Sequence, residues 1–158
     1  MGDMRAVCVT GWANSGKTTL IERLLPVFAQ MGLNVGVIKH THHDVCMDEP
    51  GTDTSRYALA GAQRVILAGP TQAYLHLQGE KRLTELLEHM QSADLVLVEG
   101  FDKEACLPMI EVWRDQTLPM RSPEKWRCAV VTEGEYAGDL PAFAPQNVME
   151  IAKFILSL

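Results

Sequence analysis

The run Gly11-Trp12-Ala13-Asn14-Ser15-Gly16-Lys17-Thr18, followed by Thr19, has the residue types and spacing of a phosphate cradle. It fits G-x-x-x-x-G-K-[ST] in full. Its glycines let the backbone approach a phosphate closely, and successive backbone N–H groups then point inward as an anion nest. A helix opening near Lys17 would aim its positive N-terminal end at the same point. In this pattern Lys17 neutralises the β- and γ-phosphates, and the Thr18 hydroxyl is one ligand of Mg²⁺.

Such a cradle works with a carboxylate near the metal, at the end of an apolar strand. The segment Asp94-Leu95-Val96-Leu97-Val98-Glu99-Gly100 offers one acid at each end. The two stand roughly 16 Å apart along an extended chain, so both cannot reach one ion. Ligands of parallel sheets bind outside the carboxyl ends of the strands, which selects Glu99 and leaves Asp94 to begin the strand. Gly100 would leave room beside Glu99.

A third group follows another apolar run: Lys39-His40-Thr41-His42-His43-Asp44. Three histidines, Asp44 and nearby Cys46 invite a zinc or nickel reading. The spacing matches no common zinc motif, however, and adjacent His42 and His43 point apart in an extended chain. A switch or partner-binding loop, ordered by the γ-phosphate, is the other reading. Further on, Asp53 could serve Mg²⁺ through water or orient an attacking water, and it or Thr54 could equally cap a helix. Arg56 could reach a phosphate or be a solvated helix residue. No residue presents itself as a catalytic base, and none as an arginine finger in cis.

These groups need elements to hold them. Ala6–Thr10 is short, apolar and rich in β-branched residues, the mark of a strand buried on both faces. Helical spacing of Leu20, Ile21, Leu24, Leu25, Val27 and Phe28 predicts a helix from Lys17 to about Met31. Pro26 should kink or break it, and Gly32 and Asn34 should end it. Residues 35–38 read as a second buried strand, 54–62 as a short helix, and 65–68 as a third strand. After a turn at Gly69-Pro70, Ala73 to Gln78 alternates with period two, predicting a half-buried strand and a hairpin. An amphipathic helix over 81–90 and strands over 95–98, 109–113 and 129–132 follow. Asp115 to Lys125 reads as a surface loop, and Val148 to Leu156 as a closing helix. Alternating strands and helices predict an α/β fold, a P-loop NTPase-like mainly parallel sheet with helices on both faces, plus a β-hairpin.

The bulk composition is consistent with this. A length of 158 residues and an ordinary apolar content favour a single domain spanning 1–158, with a core that needs no staple. Net charge is −6, which disfavours nucleic-acid binding by counterion release. Cys8, Cys46, Cys106 and Cys128 form no C-x-x-C pair. Reduced thiols, no signal-peptide pattern and no apolar run of membrane length lead to the expectation of a cytoplasmic protein with no membrane partner.

Taken in order, Gly11 to Thr19, Val37-Ile38-Lys39-His40-Thr41-His42-His43-Asp44, Pro50-Gly51-Thr52-Asp53-Thr54 and Leu95 to Phe101 resemble the molybdopterin-guanine dinucleotide biosynthesis protein B (MobB) family. The resemblance runs from about residue 5 to at least residue 132. Its most specific part is Ile38 to Asp44, which is no generic feature of phosphate loops. The resemblance implies GTP and Mg²⁺ as cofactors, at most slow GTPase activity, and an adapter role in assembling molybdopterin guanine dinucleotide. It implies the guanylyltransferase MobA and molybdopterin as partners, and a homodimer with the Val65–Gln78 hairpin at the contact. By the same analogy Lys17, Thr18 and Glu99 serve phosphate and metal, and Asp53 lies on the γ-phosphate side.

The chain lacks the N-K-x-D run by which many GTPases read guanine, and Glu133 stands where similar proteins often have aspartate. Guanine preference therefore follows from the resemblance alone. Two other functions share parts of the pattern. One is an ATP-dependent ligase of the dethiobiotin synthetase type, with a similar V-E-G strand end. The other is a GTP-driven metallochaperone using the histidine loop.

Overall fold

The computed structural model describes residues 4–41, 43, 45, 49–102 and 105–158. In chain order the elements are β1 (Arg5–Thr10), α1 (Lys17–Gln30), β2 (Val35–Lys39), α2 (Asp53–Leu59), β3 (Arg64–Ala68), β4 (Ala73–Leu77), α3 (Leu83–Glu88), β5 (Leu95–Glu99), β6 (Met109–Val112), β7 (Arg127–Val131), β8 (Ala142–Phe143) and α4 (Val148–Ser157). They form two compact units, Met1–His40 with Leu83–Leu158, and Thr41–Arg82.

The first unit is a six-stranded sheet in the order β2-β5-β1-β6-β7-β8, parallel at every pairing. Side chains alternate across it as the strand period of two requires. Val7, Val9, Leu95 and Leu97 pack with Leu20, Ile21, Leu24 and Phe28 of α1 and Ile151, Ala152 and Ile155 of α4. Cys8, Val96, Val98 and Met109 form the opposite face, with Leu83 of α3 and Phe101. Helices therefore cover both faces, as the alternating pattern predicts. β5, inserted between β1 and β2, is buried at all five residues. The register sets Glu99 level with both Val9 and Lys39, and Glu111 level with Thr10. Four polar residues, Thr10, Lys39, Glu99 and Glu111, thus lie at the carboxyl edge next to the loop after β1.

Several local expectations are corrected. Pro26 does not break α1, which is continuous over Lys17–Gln30. Pro26 and Glu22, whose carbonyl loses its donor, both lie on the exposed face, where water can satisfy that oxygen. Gly32 ends the helix at φ +78°. The Leu33 N–H donates to the Phe28 carbonyl and the Gly32 N–H to that of Ala29, the paired bonds of a Schellman motif. β2 is an edge strand with only Ile38 buried, not a strand covered on both faces. β8 adds a two-residue strand beyond β7 that has too little sequence to show periodicity.

In the second unit, α2 begins with Thr52 as its cap, whose hydroxyl accepts from the Ser55 N–H at 3.3 Å. The cap is therefore neither Asp53 nor Thr54. β3 and β4 pair antiparallel as a hairpin, with Leu67 opposite Tyr74 and Ile66 opposite Leu75. The predicted half-buried strand is instead exposed, and Ile66, Leu67, Tyr74 and Leu75 all stand open to solvent in the single chain.

Candidate functional site

β1 delivers the chain into the loop at Gly11, at φ +139°. A Cβ there would lie 2.4 Å from the Val112 carbonyl oxygen and 2.8 Å from Ser15 Oγ, so only glycine fits. Asn14 and Gly16 also take left-handed backbone, at φ +61° and +101°. The Ser15 N–H donates to the Trp12 carbonyl and closes the loop. Gly16 caps α1 without a side-chain bond, and the first turn carries no acid. The orphan N–H groups and the positive end of the helix therefore face the loop, an arrangement suited to an anion.

Lys17 folds back over this loop, its Nζ donating to the carbonyls of Gly11 at 2.9 Å and Trp12 at 2.7 Å. Burial pushes its ammonium below the ordinary lysine range, against the pull of Glu99, Asp102 and Glu111 and with the push of Arg121. Two buried hydroxyls at the loop, Thr10 Oγ1 and Ser15 Oγ, have no hydrogen-bond partner. Unpaired buried polar atoms are uncommon enough to point to a ligand. Thr10 precedes Gly11 and Ser15 precedes Gly16, so both flank the left-handed glycines of the loop.

Thr18 and Glu99, the two residues expected to face a metal, also come together. Thr18 Oγ1 lies 3.1 Å from each Glu99 carboxylate oxygen, and Glu99 is only 8% exposed. Lys39 Nζ stands 3.3 Å from Glu99 Oε1 and 3.4 Å from Thr18 Oγ1, so a cation already sits against both oxygens. Hydroxyl and carboxylate are the hard oxygen donors that Mg²⁺ takes, and the residues fit that ion. Asp94 lies at the other end of β5, where it accepts the Asn34 N–H at 2.7 Å.

After Glu99 the chain turns through two left-handed residues, Gly100 at φ +92° and Phe101 at φ +58°. A Cβ at Gly100 would meet the His40 Cβ at 3.0 Å and its carbonyl oxygen at 3.3 Å. Close approach to the start of the histidine loop, rather than room for a ligand, therefore demands this glycine. The His40 N–H donates to the Glu99 carbonyl, and the His40 ring stacks on Phe101 with centroids 4.3 Å apart. Among the other residues of that loop, the His43 N–H donates to Thr41 Oγ1, while His42, Asp44 and Cys46 lie outside the described residues. Among the described residues no cluster of His, Cys, Asp or Glu could hold a metal ion by itself. Asp53 is the first residue of α2, exposed in the second unit, 3.6 Å from Arg56.

The loop between β6 and β7 forms a wall of the site that local spacing in the sequence does not reveal. Glu111, fully buried on β6, accepts the N–H of Arg121 at 3.0 Å and of Ser122 at 2.8 Å. Trp12 Nε1 donates to the Pro119 carbonyl at 2.8 Å, and the Arg121 guanidinium lies over the Trp12 ring, 5.3 Å from its centroid. Arg121 also pairs with Asp102. A charged residue at the centre of an apolar strand, as Glu111 is in Met-Ile-Glu-Val, was the one signal available. The thiol of Cys8, under the same turn, donates to the Gly100 carbonyl, and burial pushes it up to about 12, so it is an inert packing group. A cavity of about 210 Å³ opens on the other side of the loop, lined by Thr19, Arg23, Arg114, Thr132, Glu133 and Pro145 among others.

A parallel sheet whose central strand feeds a glycine-threaded loop into a helix, with a buried carboxylate on the neighbouring strand, defines a P-loop NTPase-like protein. The comparisons narrow the class. The sequence model of the family "Molybdopterin guanine dinucleotide synthesis protein B" (MobB) matches residues 6–133, and the chain belongs to that family. It is 32% identical over 153 residues to the molybdopterin-guanine dinucleotide biosynthesis adapter protein of Haemophilus influenzae, covering 93% of this chain and 85% of the relative. It is 38% identical over 110 residues to the adapter protein of that name in Escherichia coli, covering 66% of this chain and 62% of the relative. Among solved structures, a molybdopterin-guanine biosynthesis protein B matches with a TM-score of 0.71 at 26% identity, over 96% of this chain and 97% of the other. Bacillus subtilis MobB matches with a TM-score of 0.68 at 30% identity, over 96% and 95%. Family membership sets aside the ligase of the dethiobiotin synthetase type.

Proposed function

We propose that this chain is a GTP-binding adapter in the biosynthesis of molybdopterin guanine dinucleotide, with at most slow GTPase activity. The observation that carries the reading is the meeting of Thr18 and Glu99 beside Lys17, at a loop only glycine can thread. In this reading the backbone of Gly11 to Thr19 and the Lys17 ammonium hold the phosphates, while Thr18 and Glu99 hold Mg²⁺. Lys39, now paired with Glu99, would be within reach of the terminal phosphate if it left that carboxylate. When bound, Mg²⁺ would supply positive charge to neutralise the phosphates. The cavity lined by Thr19, Arg23 and Glu133 takes the base, with the Glu133 carboxylate accepting from guanine N1 and N2. Asp53 and the segment from Lys39 to Asp44 form the part that responds to the γ-phosphate.

The adapter role rests on the names of the relatives, which are biosynthesis adapter proteins. The partners in this reading are MobA and molybdopterin, and the 158 residues act as one domain in a cytoplasmic homodimer joined through the β3–β4 hairpin. The exposed side chains of Ile66, Leu67, Tyr74 and Leu75 support that contact, since exposed apolar residues on a hairpin make a natural pairing surface. Among the described residues no helix is long and apolar enough to cross a membrane.

A competition titration tests the reading. A fluorescent GTP analogue bound in the presence of Mg²⁺ should be displaced by GTP at far lower concentration than by ATP. Equal displacement by the two would refute the guanine assignment, and no binding of either would refute the nucleotide site.

A further inference from the structure

The contacts around Trp12 and Asp102 place a second layer of residues on the site, and they converge on one side chain. Arg121 reaches the site because the backbone on which it sits is fixed. The buried Glu111 carboxylate accepts its N–H and that of Ser122, one on each oxygen. Because Glu111 is level with Thr10, the last strand residue before Gly11, this anchor and the phosphate loop share one sheet position. From that anchor the Arg121 guanidinium does two things. It covers the Trp12 ring, whose Nε1 is also held by the Pro119 carbonyl, and it pairs with Asp102. The Asp102 side chain is only 11% exposed and that of Arg121 33%, so the pair is partly withdrawn from solvent. Charge pairing and cation–π contact both strengthen under those conditions.

Asp102 is three residues beyond Glu99, across the left-handed pair Gly100 and Phe101. Left-handed backbone at a bulky residue is strained and persists only where its surroundings over-determine it. Two contacts do so here: the His40 ring stacked on Phe101, and the Arg121 grip on Asp102. Guanidinium geometry suits the task, since one planar group can stack flat on an indole and still present N–H donors to a carboxylate at once.

We propose that Arg121 is a positioning residue of the nucleotide site, clamping Trp12 of the phosphate loop to Asp102 and so holding the turn behind Glu99 in register with the cradle. It touches neither phosphate nor metal in this role. Its effect falls on the Mg²⁺-dependent part of nucleotide binding, where Thr18 and Glu99 must meet, and leaves recognition of the base untouched. The inference rests on the nucleotide-binding reading given above.

The test compares the full chain with Arg121→Ala, Arg121→Lys, Asp102→Asn and the double variant Arg121→Ala/Asp102→Asn. Binding of a fluorescent GTP analogue is measured across a Mg²⁺ titration, with far-ultraviolet circular dichroism and melting to confirm folding. Residues that orient metal ligands change metal affinity by about 10- to 100-fold when removed. Arg121→Ala should therefore raise the Mg²⁺ midpoint by at least about tenfold while the GTP-to-ATP affinity ratio stays constant. Arg121→Lys should recover only part of the loss, and the double variant should be no worse than the poorer single variant, as for residues acting as a unit. A Mg²⁺ midpoint within twofold of the wild type in folded Arg121→Ala would overturn the inference, as would an equal loss of affinity with and without Mg²⁺. Should Arg121→Ala fail to fold, Asp102→Asn decides in its place by the same criterion. Wild-type protein that binds no nucleotide at all would instead refute the underlying reading and the inference with it.

Discussion

Replacing Glu99 by glutamine separates ligand binding from folding with little other disturbance. Glutamine keeps the side-chain size and one oxygen to accept from Thr18 Oγ1, but removes the charge. The stability effect is small on geometric grounds. The Lys39 side chain opposite is 57% exposed, so water already screens the pair, and such ion pairs contribute below about 1 kcal/mol. For a domain of this size that lowers the melting temperature by less than about 4 °C. The ligand effect is large. A group that merely orients a metal ligand changes metal affinity by about tenfold or more, and a carboxylate facing the ion should change it at least as much, or about 1.4 kcal/mol. Titrating Mg²⁺ into protein with a fluorescent GTP analogue, alongside thermal melts, gives both numbers. A Glu99→Gln protein with an unchanged Mg²⁺ midpoint and a melting drop above about 8 °C would show that Glu99 is a structural acid, and would refute the metal assignment.

Two further outcomes follow from the same geometry. Burial lowers the proton affinity of Lys17 in the folded chain, so between its folded and unfolded pKa values the folded state binds fewer protons. The nucleotide-free chain should therefore gain stability as pH rises through that window, while affinity for a triphosphate should fall, beginning below the ordinary lysine range. GTP titrations from neutral to alkaline pH check this, and Lys17→Arg, which stays charged, should flatten the fall. For the hairpin, Ile66→Lys with Leu75→Lys places two like charges opposite each other on one face of β3 and β4. Light scattering should report a dimer for the wild type and a monomer for this variant, with nucleotide binding retained. A wild type that is monomeric at micromolar concentration would refute the proposed contact.

What the sequence determined by itself is the local part. The glycine-threaded loop, its flanking strand and helix, and the meeting of Thr18 with Glu99 rather than Asp94 all follow from neighbours within a few residues and from the convergence of the carboxyl ends of parallel strands. Periodicity located most strands and helices such as α1, because burial on one face imposes its period on the sequence. It overstated the burial of β2 and β4, since an apolar run looks the same in the middle of a sheet, at its edge, or on an open hairpin. It also read Pro26 as a kink or a break, and the break does not occur, because the exposed position that makes a proline tolerable is a tertiary property.

The tertiary structure alone decided what surrounds the cradle. Trp12 and Pro119 are 107 residues apart in the chain, and Thr18 and Glu99 are 81 apart. The second pair could be anticipated because strand ends converge in a parallel sheet. The first could not, because no spacing rule relates a loop after β6 to a loop after β1. Arg121, Asp102 and Glu111 gain their roles from strand order, which sets β5 and β6 on either side of β1, and from one buried carboxylate that fixes where the Arg121 loop must lie.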